Sequence, residues 1–586
     1  MPANYLKLYL KQGSCVVPQD GLVRSERRVE IAILLLAASL LLCGQAFGQG
    51  RKSVAARVSA IVASGRLGEL HWPNFSGYRS QLINFYRPSG YRLAWVRGGE
   101  PTPQAVELVE ILQDAEREGL RAYDYDATRW PDRLTLLRGP HEEAEEARFD
   151  VALTVCIMRY LSDLHVGRIN PQHLGFEFDV SGKKLDLPSF LRECLVEGSG
   201  LHEEVATLEP RFPGYERLRD ALPHYVELAK RDDGEKLPVP ARLAPGGQYA
   251  GIPRLTRLLR LLGDMPESVT IPPDSKIYEG ALVDAVKHFQ GRHGLPPTGV
   301  LDSDTVAEMN VPLSGRVAQI RLGLERYRWL PYDPGQPAIV VNVPEFRLYA
   351  FTAGRQPAFS MKVTVGDDYD FQTPIFEKKM LYVVFRPYWY PPRTILRSEI
   401  LSDLKEDSSL EENDVELVSA SGQVMSRGNV TPAMLGQLQS GELTARQPPG
   451  PDNALGLIKF ILPNEHNIYI HDTPVSVHMF SDTERIFSHG CIHAQEPAKL
   501  AAWLLRDKPG WSLEQVEHAM HKGRNNVRVN LASPVPVLIV YDTAVVQENG
   551  DIHFLEDIYQ HDGKLEVELA EGYPYARGAA RSVGRN

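Results

Sequence analysis

The sequence predicts a multi-domain α+β protein in which a helical region and a small helical domain precede a mostly β domain. Apolar residues recur at helical spacing in residues 105–112 and 151–158. In residues 339–343, 347–351 and 361–366, β-branched and apolar residues follow the alternating pattern that is typical of strands. A chain of 586 residues is also long enough for about three or four domains.

Residues 1–48 have the layout of a secretory signal. Three arginines, Arg24, Arg27 and Arg28, precede a largely apolar stretch at 31–43, and small residues follow up to Gly48. The apolar stretch is short for a bilayer span, which needs about 20 residues. We therefore expect either a signal peptide that is cleaved or a signal anchor that stays in the membrane.

Changes in composition divide the rest of the chain. Gly119 and Pro171 end helical patterns, a stretch rich in proline and glycine follows, and helix-compatible patterns return at 255–262 and 282–290. The predicted parts are, in chain order, a helical domain (49–236), a linker (237–249), a small three-helix domain (250–312), a mostly β domain (313–562) and a flexible tail (563–586).

The most informative motif is the run Ser488-His489-Gly490-Cys491-Ile492-His493, which follows His471 at the end of a strand-like segment. A thiol becomes a strong nucleophile when a base takes its proton, and both His471 and His489 are candidates for that base. Gly490, directly before the thiol, would let backbone N–H groups approach a substrate carbonyl, as in an oxyanion hole. The motif therefore indicates nucleophilic catalysis by Cys491.

A zinc site is the main alternative for these residues. His471, His489, Cys491 and His493 are ligand types that zinc accepts. Alternate residues of a tight loop would have to converge on one ion, however, and a bound metal would block the thiolate. We therefore expect no metal and no cofactor at this site.

The remaining cysteines fit a secreted protein. Without the signal segment three cysteines remain, and this odd number leaves at least one thiol unbridged, most simply Cys491. Cys156 and Cys194 stand in apolar helical patterns, where a cysteine is usually a small buried apolar residue, and a disulfide between them is the alternative. The formal net charge of −11 argues against a nucleic acid partner.

An insertion interrupts the β domain. At residues 393–446 the alternating pattern gives way to acidic, helix-compatible sequence. Long insertions near active sites often serve as lids. We predict a lid over Cys491, with a surface loop that lacks this role as the alternative.

Together these motifs resemble the L,D-transpeptidases, whose signature is a histidine, a spacer and Ser/Thr-His-Gly-Cys. Further segments resemble the large multi-domain periplasmic branch of Gram-negative bacteria: 469–474, 447–451 with Asn453, 385–389, 160–164 and 166–168. Residues 282–302 resemble its small peptidoglycan-binding domain. The resemblance extends from about residue 85 to about residue 562 and identifies 49–236 as a scaffold domain.

The resemblance implies a reaction. Cys491 would attack the third-residue carbonyl of a tetrapeptide stem, release D-alanine and pass the acyl group to an amine of a neighbouring stem, with His471 as general base. Ser488, His489 and Gly490 would orient the loop and complete the oxyanion site. Tyr469 and Trp389 would line the substrate groove. His493, which replaces an arginine or asparagine of many relatives, would contact substrate with a charge that depends on pH.

The resemblance also implies partners and a location. Peptidoglycan stems would be donor and acceptor, other cell-wall enzymes are candidate partners, and residues 31–48 would lead to the periplasm or tether the protein to the inner membrane. Two functional alternatives stay open. The same pair could hydrolyse stems as an L,D-carboxypeptidase or endopeptidase, or the chain could bind the wall without catalysis.

Overall fold

The computed structural model describes residues 54–575 except 241, 332–335, 368–370, 407–408, 411–413 and 476–478. The predicted signal segment, residues 1–48, lies outside this part. Within the described ranges, no helix combines the length and apolar character needed to cross a membrane.

The N-terminal domain is helical, as predicted. Its main helices are α1 (54–64), α2 (Arg79–Tyr86), α3 (Pro103–Gln113), α4 (Trp130–Arg138), α5 (Glu143–Val166), α6 (Leu187–Phe190), α7 (Leu201–Ala206) and α8 (Pro213–Arg231), with a short hairpin of β1 (Val96–Arg97) and β2 (Glu100–Pro101). The long helix α5 is buried along most of its length, so it forms the centre of this domain. Cys156 is fully buried in this apolar core and forms no disulfide.

The small domain consists of α9 (Ile252–Leu261), α10 (Ala281–Arg292) and α11 (Ser303–Met309). The prediction of a linker at 237–249 is wrong. Leu237, Leu243 and Tyr249 are buried in the core of this domain, and Leu243 exchanges backbone hydrogen bonds with Leu301. The apolar residues between the prolines explain why this segment packs and does not extend into solvent.

The domain that contains Cys491 begins with α12 (Leu313–Tyr327), which packs against α8. It continues as a mostly β domain, as predicted. Its strands are β3 (Ala338–Asn342), β4 (Arg347–Phe351), β5 (Pro357–Gly366), β6 (Phe376–Phe385), β10 (Ile458–Ile461), β11 (Ile470–His471), β12 (Ile486–Ser488), β13 (Ile492–Ala494) and β14 (Val527–Val540), and β7–β9 belong to the insertion between β6 and β10. They form one sheet in the order β12-β5-β13-β11-β10-β6-β14-β3-β4. Because β4 also pairs with β5, the sheet curls back on itself like a barrel.

The insertion predicted at 393–446 folds as a unit with its own apolar core. It contains α13 (Arg393–Ile395), α14 (Leu401–Glu406), α15 (Pro432–Ser440) and a sheet of β7 (Glu416–Ser419), β8 (Val424–Ser426) and β9 (Leu443–Arg446) in the order β8-β7-β9. Trp389 and Gln447 exchange two backbone hydrogen bonds at its base, with N···O distances of 3.2 and 2.8 Å. The ends of the insertion therefore lie side by side.

After β11 and β13, the domain adds α16 (Pro497–Leu504), α17 (Leu513–His521), the hairpin β15 (Ala544–Val546) and β16 (Ile552–Phe554), and α18 (His561–Ala570). The prediction of a flexible tail from residue 563 is wrong as far as residue 575. Leu565 packs in the core of the β domain, and the hydroxyls of Tyr573 and Tyr575 donate to Asp163 and Asp124 of the N-terminal domain. Buried aromatic residues hold this segment in place, and residues 576–586 lie outside the described part.

Candidate active site

The motif residues come together because three adjacent strands, β10, β11 and β13, bring a row of polar side chains to the same face of the sheet. His471 on β11 pairs with His493 on the parallel strand β13 and with Lys459 on the antiparallel strand β10. Ile470 and Ile492, which directly precede the two histidines in sequence, are fully buried in the apolar core. Since side chains alternate across a sheet, the two histidines and the lysine lie on the face opposite that core.

His471 is held in one tautomer. Its Nδ1 lies 2.6 Å from the carbonyl oxygen of Asp472. Because a carbonyl only accepts, Nδ1 donates its proton there, and Nε2 carries the lone pair of a base. Burial lowers the pKa of His471 well below its usual value, and the neighbouring His493 lowers it further. His471 is therefore a neutral imidazole at pH 7.

The strand end that carries His471 is fixed by its neighbour. The Asp472 carboxylate accepts a hydrogen bond from the Leu457 backbone N–H at 2.8 Å. Gly456, at φ +58°, lies so close that a Cβ would meet this carboxylate at 2.5 Å. The contact of the Asp472 carboxylate with the backbone at Gly456 and Leu457 thus fixes the strand end that carries the imidazole.

Cys491 is a protonated thiol at rest. Burial raises the pKa of Cys491 to about 11, while a backbone hydrogen bond at Tyr469 and the positive charge of Lys459 lower it. The thiol thus needs a base to become a nucleophile at neutral pH. His471, two residues beyond Tyr469 on the same strand face, supplies a base of the required kind.

The loop before Cys491 is closed by Ser488. Its hydroxyl donates to the carbonyl oxygen of Cys491 and accepts from the Gly490 N–H at 3.2 Å. The Gly490 N–H is therefore engaged within the loop, and the contribution of Gly490 to an oxyanion site stays a prediction. The Cys491 N–H, in contrast, makes no hydrogen bond within the described part of the chain.

Gly490 is required by backbone geometry. Its φ of +98° lies outside the range that most L-residues adopt, and a Cβ would approach Ile468 Cδ1 to 2.9 Å. A side chain at this position would displace the turn that carries the thiol.

Two residues that the sequence analysis missed support the same loop. Thr373 donates from its hydroxyl to the Gly490 carbonyl oxygen at 3.0 Å, and the Gly366 N–H donates to Thr373 Oγ1 at 2.8 Å. Tyr559 donates to the Gly366 carbonyl oxygen at 2.6 Å and accepts from the Thr373 N–H at 3.2 Å. No local motif marks Thr373 or Tyr559, because their partners are distant in sequence.

The other predicted site residues have different surroundings. His489 is exposed and contacts the Phe371 ring at a centroid distance of 4.5 Å, so its ring is not placed in the buried row. His493 is in the row, with its centroid 4.5 Å from that of His471. Burial lowers the pKa of His493 to about 4, so it carries no charge for a substrate carboxylate at pH 7. The substrate-binding role of His493 stays a prediction, and a positive charge on its ring does not support it at pH 7.

The two predicted groove residues are separated. Tyr469 is half-buried, with its ring centroid 5.5 Å from Lys459 Nζ, and lines a cavity of about 500 Å³ beside the polar row. Trp389 instead packs against the core of the insertion, at the backbone bridge to Gln447. The structure thus brings Tyr469, but not Trp389, to the strands that carry Cys491 and His471.

Among the described residues, no group of three or more His, Cys, Asp or Glu side chains is arranged to hold a metal ion. The site combines a protonated thiol, a neutral imidazole with an available lone pair, and a backbone N–H at the thiol. Such an arrangement can support nucleophilic attack on a carbonyl. The fold and site therefore define a mostly β domain with the groups for catalysis by a cysteine nucleophile and a histidine base.

Comparison with known families names this class. Residues 336–535 match the model described as "L,D-transpeptidase catalytic domain", so the chain contains a domain of the L,D-transpeptidase type. Residues 250–309 match "Putative peptidoglycan binding domain", and residues 80–222 match "Scaffold domain".

A curated protein and a solved structure are similar to parts of this chain. A protein of Haemophilus influenzae named "Putative L,D-transpeptidase" is 29% identical over 255 residues, which cover 43% of this chain and 49% of that protein. The match thus spans about half the length of the relative. An L,D-transpeptidase crystal structure from Xylanimonas cellulosilytica is 14% identical and covers 52% of this chain and 99% of its own, with a TM-score of 0.17. That score is too low to support a conclusion about the fold.

Proposed function

We propose that this protein is an L,D-transpeptidase that joins peptide stems of peptidoglycan through their diaminopimelate residues. The observation that carries the proposal is that the strand of the neutral His471 pairs with the strand that begins directly after Cys491, inside an L,D-transpeptidase catalytic domain. A base and a thiol are the two groups that acyl transfer through a thioester needs.

In the first half-reaction, Cys491 Sγ attacks the third-residue carbonyl of a tetrapeptide stem as its proton moves to His471 Nε2. The Cys491 N–H is the proposed donor to the oxyanion that forms. The bond to D-alanine then breaks, and His471 returns the proton to the departing amine. The products are D-alanine and a thioester on Cys491.

In the second half-reaction, a side-chain amine of a neighbouring stem attacks the thioester carbonyl. His471 takes a proton from this amine and gives it to the sulfur as the carbon–sulfur bond breaks. The stems become joined between two third-position residues, and the thiol and imidazole return to their starting states. One neutral histidine thus serves both steps, as general base and general acid.

Other parts of the chain fit this role. The small domain at 250–309 would hold the wall polymer near the catalytic domain, and the insertion at 393–446 would act as a lid that excludes water. The N-terminal signal would place the enzyme in the periplasm or anchor it at the inner membrane. Stems would be both donor and acceptor, and other cell-wall enzymes are candidate partners.

Hydrolysis of the same thioester is the second candidate, since water could replace the amine. Incubation of the purified residues 49–586 with disaccharide-tetrapeptide, followed by mass spectrometry, separates the two. A dimer lighter than two substrates by one D-alanine, absent with Cys491→Ala, is the expected result. Tripeptide without dimer would favour a hydrolase, and unchanged substrate would contradict both reactions and favour a protein that only binds the wall.

A further inference from the structure

We propose that Lys459 and Arg528 form a carboxylate-binding subsite in the cavity beside Cys491, and that this subsite holds a carboxylate of the peptide stem. The proposal rests on the proposed function for the identity of the ligand, and on the cavity and its charges for its position.

The cavity adjoins the catalytic residues through strand register. Lys459 pairs with His471 on one side and with Val384 of β6 on the other, and Val384 pairs with Arg528 of β14. The lysine and the arginine therefore lie on the face of the sheet that carries His471. They are two strands apart, and at about 4.8 Å per strand spacing their backbones are about 10 Å apart, a gap that their long side chains can close around one carboxylate.

The lining of the cavity is positively charged. Its volume is about 500 Å³, and its charged lining residues are Lys459 and Arg528, with no acidic side chain among the described residues that surround it. Asn464, Asn467 and Asn526 add amide groups, and Tyr469 adds a hydroxyl. Neither Cys491 nor His471 lines this cavity itself, but Lys459 is the register partner of His471. A larger cleft of about 2400 Å³ lies where the domains meet, and Lys459, Tyr469, Cys491 and His471 are all absent from its lining.

Lys459 is a half-buried cation without an anionic partner. It forms no ion pair within the described part of the chain, and its ammonium lies 5.5 Å from the Tyr469 ring centroid. Burial lowers the pKa of Lys459, whereas the Cys491 thiolate would raise it. A buried ammonium that no carboxylate of the protein neutralises is costly, and an anionic ligand would remove this cost.

Arg528 is positioned at the rim of the same cavity. Its guanidinium stacks on the Tyr382 ring, with the Cζ atom 3.7 Å from the ring centroid, and its Nε donates to Asn530 Oδ1 at 2.9 Å. These contacts fix the plane of the guanidinium and engage one of its nitrogens. Arginine binds a carboxylate most strongly when its planar group is already oriented in this way.

A tetrapeptide stem offers two carboxylates near the bond that would be broken. One is the terminal carboxylate of the D-alanine that leaves, and the other is on the side chain of the third residue. Both have the same recognition chemistry. Each lies within a few bonds of the carbonyl that Cys491 would attack, so a subsite next to the thiol can take either.

Binding should be measured in a Cys491→Ala background, because a change at Lys459 also alters the thiol. Calorimetric titration with disaccharide-tetrapeptide should show that Lys459→Met weakens binding about tenfold or more, as loss of a charged hydrogen bond predicts. Arg528→Gln should weaken binding in the same direction. Lys459→Arg should retain most of the affinity.

Lys379→Met is a matched control, because Lys379 is an exposed lysine of the same β6 strand and does not line this cavity. It should bind the peptide as tightly as the parent. Circular dichroism of each variant checks that the fold is retained. If Lys459→Met binds as tightly as Lys379→Met, the proposal is overturned.

Two amidated peptides identify the carboxylate. One has an amide at the terminal D-alanine, and the other has an amide on the third-residue side chain. The peptide that has lost the relevant carboxylate should bind weakly to the Cys491→Ala protein. Its affinity should not fall further when Lys459→Met is added. An equal effect of Lys459→Met on all three peptides would contradict a carboxylate subsite. Charge-dependent binding without any product from the wild type would retain the subsite and contradict the proposed function alone.

Discussion

His471 and His493 are register partners on adjacent parallel strands, with ring centroids 4.5 Å apart. A proton on either ring disfavours a proton on the other, and both rings are taken out of water. The pair therefore rests neutral, and His471 alone has its Nδ1 proton fixed by a backbone carbonyl. His471 is thus oriented as a base, and His493 lowers the pKa of His471.

The pH dependence of activity should reveal this coupling. Catalysis requires neutral His471, so kcat/KM should fall as pH drops through the pKa of His471, which lies below the usual 6.5. His493→Asn removes the neighbouring ring and should move this acid limb to higher pH. A profile of kcat/KM from pH 4 to 8 measures both. An acid limb at or above pH 6.5 in the wild type, or one that His493→Asn does not move, would contradict the account.

Gly490→Ala should remove most of the activity. The variant places a Cβ 2.9 Å from Ile468 Cδ1 and strains a φ of +98°, so we expect kcat to fall at least about tenfold. Gly354→Ala is the control, since Gly354 also has a positive φ of +79° but no atom within 4 Å of the added Cβ. It should lose about 1 kcal/mol of stability and keep its activity. Equal kcat values for both variants would show that loop position does not matter.

Tyr559→Phe should destabilise the loop that carries Cys491, although Tyr559 does not belong to that loop. The hydroxyl of Tyr559 bonds both Gly366 and Thr373, and its loss leaves two buried backbone groups without this partner. We expect a loss of about 1–3 kcal/mol in unfolding free energy and a fall in kcat with little change in KM. Tyr349→Phe is the control, because it removes a hydroxyl of β4 that bonds Glu345 in the turn between β3 and β4, and it should leave kcat unchanged. Unchanged kcat in Tyr559→Phe would remove Tyr559 from the account.

Removal of the insertion should change the products more than the fold. The backbone bridge between Trp389 and Gln447 allows a short glycine-serine linker to replace residues 393–446, whose apolar core is separate. If the insertion is a lid, water should reach the thioester, and the ratio of tripeptide to dimer should rise. Mass spectrometry of the products gives this ratio. An unchanged ratio in a folded variant would favour a surface unit without a lid role.

The strands and the motif could be predicted because both are local. Alternation of apolar residues identifies β3, β4 and the second half of β5, and the spacing from His471 to Cys491 identifies a thiol with a base. Register between distant strands is not encoded in any short segment. Lys459 enters the row only because β10 pairs with β11, and Tyr559 reaches Gly366 across 193 residues.

The errors have a related cause. Proline and glycine in residues 237–249 indicated a linker, but Leu237 and Leu243 find apolar partners far along the chain. The tail was expected to be flexible because termini often are, whereas Tyr573 and Tyr575 have buried partners in the N-terminal domain. The composition of a segment is a local property, whereas its packing depends on contacts with residues that are distant in sequence.

The most direct test of the central claim is the intact mass of the enzyme mixed with disaccharide-tetrapeptide and quenched in acid within seconds. We expect an adduct whose mass equals that of the substrate less D-alanine, located on Cys491 by peptide mapping. The adduct should be absent in Cys491→Ala and should form far more slowly in His471→Gln. Turnover by Cys491→Ala, or an adduct on any other residue, would contradict the account.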